Sequence, residues 1–149
     1  MKLCGLLIMT VALFGSTKST ESKTGNPIGR WKVEFTLTGG EKKHLTFEGK
    51  PKGIGSFQGL DTAADNKPAR ESVPAVWSIT PSDRVTLSGD IELPLGTCCR
   101  EVGTLLFKGE FVSDTALKGR AIFITSTTDE ENFVGYRSDV GTFTASREP

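Results

Sequence analysis

Histidine is almost missing from this chain: His44 is the only one, beside a single tyrosine and two tryptophans. One imidazole cannot supply the His pair of a common zinc site, and no Gly-x-Ser-x-Gly elbow is present. Charge of one sign is lacking as well. Eighteen Lys and Arg balance eighteen Asp and Glu, which excludes a strongly basic nucleic-acid binder and an acidic solvating tail. Cysteine is confined to Cys4, Cys98 and Cys99, without the C-x-x-C spacing typical of metal ligands. No apolar run reaches the ~20 residues of a membrane-spanning helix. There is no low-complexity tract and no internal repeat.

The longest apolar run, residues 3–14, has twelve residues and follows Met1–Lys2. A stretch of ~7–15 apolar residues behind a basic start suits a secretory signal, and Gly15, Ser16 and Ser19 supply small residues for cleavage. Residues 1–19 are therefore expected to be a signal peptide, which makes the mature chain secreted or periplasmic. Cys4 stands at the start of the apolar run and not after it, so it cannot serve as a lipid anchor behind it. Cleavage removes Lys2 and Lys18 and leaves the chain two charges negative, which argues against a polyanion partner. Residues 20–28, polar and with Gly25 and Pro27, are expected to be a flexible leader outside the core.

From Gly29 onward the apolar residues recur with period two, the mark of half-buried strands. Trp31, Val33, Phe35 and Leu37 share one face of the first stretch, and Lys32, Glu34, Thr36 and Thr38 the other. Similar runs follow at 44–49, 53–60, 75–80, 84–93, 103–111 and 116–125, with a last one inside 136–147. No stretch has a helical period. Eight short strands separated by Gly-containing turns predict an all-β sandwich or barrel.

The connections choose between these. Those at 50–52, 81–83 and 112–115 are short, whereas 61–74, 94–102 and 126–135 are long, and the two kinds alternate. In a meander, alternate connections lie at the same end. The long ones and the Gly39–Lys42 turn then crowd one rim while tight hairpins close the other, which is the profile of a cup. The expected fold is an eight-stranded antiparallel up-and-down β-barrel over residues 29–149.

The first strand opens with Gly29-Arg30-Trp31, which is similar to the Gly-x-Trp of the lipocalins and avidins, the calycin barrels. In those families an Arg near the end of the last strand packs across that Trp. The matching residue is Arg147 in GTFTASR, and the resemblance implies a structural Trp31–Arg147 contact at the closed end. Residues 125–147 also resemble the final hairpin of bacterial avidins. The match stops at the biotin site, where avidins place polar residues after the first Trp and this chain has Val33, Phe35 and Leu37. No biotin-site residue carries over.

Other candidates have ordinary accounts. His44, beside Lys42 and Lys43, reads as an exposed rim residue. The run Gly53-Ile54-Gly55-Ser56-Phe57-Gln58-Gly59 places its third Gly one position late for a dinucleotide loop, and no helix follows it. Asp129, Glu130 and Glu131 lack the alternating carboxylates and Gly of a calcium loop. Neither a metal nor a cofactor is implied. Cys98 and Cys99 leave three states open: a strained vicinal disulfide, two free thiols, or links between chains.

Phe35, Phe47, Trp77, Phe107 and Phe123 either line a pocket or fill it, since an eight-stranded barrel is just wide enough for both. The leading expectation is a non-catalytic barrel that binds a small apolar molecule through these five residues. The alternative is a protein-interaction or inhibitor module acting through the rim loops 61–74, 94–102 and 126–135. A carboxylate enzyme in the barrel mouth is a third reading with few acid–base candidates.

Overall fold

The structure is a computed structural model that describes residues 25–60, 71–95, 99–128 and 134–149. The expected signal peptide, the first part of the leader, Cys98, Asp129, Glu130, Glu131 and residues 61–70 of the rim loop 61–74 lie outside the described residues.

Eight strands follow one another: β1 (Gly29–Thr36), β2 (Lys42–Gly49), β3 (Ile54–Leu60), β4 (Val73–Ile79), β5 (Arg84–Leu95), β6 (Cys99–Ser113), β7 (Ala116–Thr128) and β8 (Val134–Arg147). Each pairs with the next, antiparallel, and β1 closes on β8, so the sheet is a closed up-and-down barrel. Among the described residues no helix is long and apolar enough to cross a membrane.

The period-two pattern positions every inward side chain. Trp31, Val33 and Phe35 of β1 are buried, as are Leu45 and Phe47 of β2, Leu105 and Phe107 of β6, and Leu117, Ala121 and Phe123 of β7. Two closed-end turns use left-handed backbone. Lys52 (φ 67°) and Gly53 (φ 78°) turn β2 into β3, and Asp83 (φ 57°) turns β4 into β5.

Two expectations need correction. The long connections 94–102 and 126–135 are strand wherever they are described: β5 runs to Leu95, β6 starts at Cys99, β7 runs to Thr128 and β8 starts at Val134. Pro94 reads as a loop residue, yet the last β5 residue paired with β4 is Gly89. Beyond it β5 pairs only with β6 among the described residues, and such an edge tolerates proline. The threonines of 125–128 suit a strand as well as a loop.

The leader is the second correction. Gly25 and Pro27 are buried, and a Cβ on Gly25 would fall 2.2 Å from the Phe111 ring. The indole Nε1 of Trp31 donates to the Pro27 carbonyl at 3.0 Å, and the Arg147 guanidinium donates to that of Asn26. Residues 25–28 thus cap the closed end. The backbone carbonyls make that cap, so their polar side chains carried no sign of it.

Candidate functional site

Three of the predicted pocket residues, Phe35, Phe47 and Phe107, join one ring cluster in the middle of the barrel. Phe107 is the hub: its ring centroid lies 5.3 Å from that of Phe35, 5.8 Å from Phe57 and 4.9 Å from Phe143. Phe47 packs edge-on against Phe57 at 5.7 Å. Rings from β1, β3 and β8 thereby reach one side chain of β6, and Phe35, Phe47, Phe107 and Phe123 are all at most 1% exposed. The barrel centre is filled by their own packing. Trp77 stands apart at the closed end, where its Nε1 donates to the Lys50 carbonyl at 2.8 Å.

Registers extend this packing towards the mouth. Leu87, Phe107, Ala121 and Gly141 form one inward row across β5–β8, and Gly89, Leu105, Phe123 and Asp139 the next. The following row is Ile91, Gly103, Thr125 and Arg137. Here, and already at Asp139 in the row before, the inner face carries polar side chains. Thr125 is buried, and its hydroxyl meets no hydrogen-bond partner among the described residues. Beside it, Arg137 Nη2 donates to both carboxylate oxygens of Glu101, at 2.8 and 3.0 Å. Leu93 and Leu37, both buried, stand at the same end.

Magnitudes separate the two polar features. Arg137 and Glu101 keep 52% and 32% of their side-chain surface exposed, and ion pairs in that setting are worth ~0–1 kcal/mol. A buried hydroxyl without a partner costs ~1–3 kcal/mol. The mouth therefore gives up stability at Thr125, and the pair above it recovers little. Sequence reading missed Glu101 because it lay in an expected loop. It missed Thr125 and Arg137 because nothing but register brings them together.

His44 lies on the outer face, directly opposite Glu34. Its Nε2 is 3.2 Å from Glu34 Oε2, and Lys42 Nζ donates to the other oxygen at 2.9 Å. Lys42 first, then His44, holds the Glu34 carboxyl below the usual glutamate range. Cys99 opens β6 opposite Leu95. Among the described residues no three His, Cys, Asp or Glu side chains gather to hold a metal ion.

No protein-family model matches the chain, and no curated protein does. Among solved structures it is similar to a redesigned β-barrel, at 16% identity and a TM-score of 0.44, over 83% of this chain and 92% of that one.

Proposed function

We propose that this chain is a secreted or periplasmic, non-catalytic binding barrel that takes a small, largely apolar molecule at its open mouth. A ligand entering the depth would have to displace the ring of Phe107 from three others. At the mouth, Leu93, Ile91 and Leu37 are the apolar side chains nearest the opening, and apolar surface that a ligand covers there is worth ~25 cal/mol per Å2. The observation that carries the reading is the buried, unpartnered Thr125 hydroxyl beneath the Glu101–Arg137 pair. It offers the polar end of such a ligand a hydrogen bond where the apolar floor ends.

Titration with a dansylated fatty acid, a lipophilic fluorophore with one carboxylate, tests this. The expected stoichiometry is one to one. Leu93→Arg and Arg137→Gln should each weaken binding by about tenfold or more, equivalent to ~1.4 kcal/mol. Thr125→Val should weaken binding while leaving the fold as stable or stabilising it by up to ~1 kcal/mol, since it removes an unpaired group. Absence of binding by wild type, or equal binding by folded Leu93→Arg and Arg137→Gln, overturns the proposal.

One observation favours a second reading, a protein-interaction module. On the outer face of the strand extensions Val102 of β6 is 69% and Tyr136 of β8 79% exposed, and a partner covering β6 to β8 there would bury both apolar side chains. Pull-down of one defined partner from the native medium, lost in Val102→Ser/Tyr136→Ser, would support that reading over the first.

A further inference from the structure

The outer wall of the barrel has a waist. There, β6 and β7 bring Gly109 and Gly119 opposite each other on inward positions. A Cβ on either would lie 2.2 Å from a carbonyl oxygen of the neighbouring strand, and one on Gly109 would also meet the Phe143 ring at 2.9 Å. Only glycine lets the neighbouring backbone come this close at these two positions. Over this stretch lies a groove of about 690 Å3.

The groove is lined by two rows of outward side chains. Thr86, Lys108, Arg120 and Thr142 are successive cross-strand partners over β5–β8. Arg84, Glu110, Lys118 and Thr144 form the adjacent row. Four cations thus face one carboxylate. Glu110 is engaged with Lys118 at 3.7 Å, whereas the side chains of Arg84, Lys108 and Arg120 have no ion-pair partner among the described residues. The chain as a whole is neutral, so the total conceals a local excess of positive charge. Lys108 and Arg120 sit directly opposite each other, an arrangement of like charges that destabilises a sheet. A wall needed only for folding gains nothing from that placement.

We propose that this groove is a second binding site, independent of the mouth, for a compact ligand bearing two or more phosphate groups and no nucleobase. Neighbouring strands lie about 4.8 Å apart, so the Thr86–Thr142 row spans roughly 14 Å, the size of a small polyphosphorylated molecule. Arg and Lys supply charge-assisted hydrogen bonds to phosphate oxygens, and the flanking threonine hydroxyls add neutral donors. No aromatic side chain stands among the outward residues, so a base finds no stacking platform. The shared chemistry is a cluster of phosphates, whether on a free polyol or on the headgroup of a lipid.

The experiment uses the mature chain with inositol hexakisphosphate as soluble probe and vesicles containing phosphatidylinositol bisphosphate as the lipid arm. Calorimetry should show one site for the soluble probe, weakened by added salt. Binding to vesicles as well assigns the headgroup, and binding to the soluble probe alone assigns a free ligand. Lys108→Gln/Arg120→Gln should weaken both by at least about tenfold, and Lys52→Gln, on the closed-end turn, should not. Without ligand the double variant should melt at or above the wild-type temperature, because the repulsion is gone, and its melting should no longer rise with the probe. The proposal is overturned if neither probe binds, if the folded double variant binds as wild type does, or if ATP binds more tightly than inositol hexakisphosphate.

Discussion

The guanidinium of Arg147 lies over the indole of Trp31, its carbon 4.8 Å from the ring centroid, and the two residues are direct cross-strand partners. The contact ties the last strand to the first at the closed end. The same guanidinium donates to the Asn26 carbonyl, so one side chain joins β8, β1 and the N-terminal cap.

Replacing it should cost more than a surface charge does. A cation over an aromatic face is worth ~0.5–2 kcal/mol, and a hydrogen bond from a charged donor ~1.5–3 kcal/mol. Arg147→Met keeps the apolar stem, and should lower unfolding stability in urea by about 1–3 kcal/mol. Arg30→Met removes an ion pair to Glu148 whose members are 58% and 37% exposed, and should change stability by no more than ~1 kcal/mol. Equal effects would mean that the closed end is held by apolar packing alone.

The waist predicts a contrast between glycines. A Cβ at Gly119 would lie 2.2 Å from the Lys108 carbonyl oxygen, whereas one at Gly39 has nothing within 4 Å. Gly39 does not have positive φ. Gly119→Ala should destabilise the barrel by about 2 kcal/mol or more, as overpacking does. Gly39→Ala should stay within ~0.5 kcal/mol of wild type. Thermal melts of the two variants decide it.

Glu34 gives the pH dependence. Its folded pKa is depressed, through Lys42 first and His44 second. A depressed carboxylate contributes stability that is present above its unfolded value and is lost as pH falls through the folded one. In a carbon-detected NMR titration its midpoint should lie below that of ordinary glutamates. Lys42→Ala should raise the midpoint more than His44→Ala does. A midpoint indifferent to both variants would show that neither contact persists in solution.

The alternation of Trp31, Val33 and Phe35 was enough to identify strands and their buried face, because a pleated strand leaves no other way to bury every second side chain. Eight such runs and their connection lengths led to the up-and-down barrel. What stayed hidden depends on relations between strands. The ring of Phe143 occupies the space left by Gly109, two strands away, so no local pattern says whether the phenylalanines of the strands enclose a cavity or fill it. Pro94 announced a loop because its exemption, an unpaired edge, comes from where β4 begins. Lys108 and Arg120 were hidden in the same way, since a register shift between Phe111 and Ser113 sets the hairpin pairing in which they face each other.

Closure of the ring through β1 and β8 has a consequence for how the molecule comes into being. Thr36 and Thr142 meet through their hydroxyls at 3.4 Å although 106 residues separate them, and the cation over the Trp31 ring comes from Arg147 on the last strand. A ribosome therefore releases β1 long before its second neighbour exists. Until β8 emerges, the growing chain is an open sheet with two sticky borders, the kind of surface that invites aggregation. Final assembly waits for this most distant pairing, which places the barrel among slow-folding topologies. A shortened chain lacking 142–147 would lose both its border protection and the Arg147 cap at once.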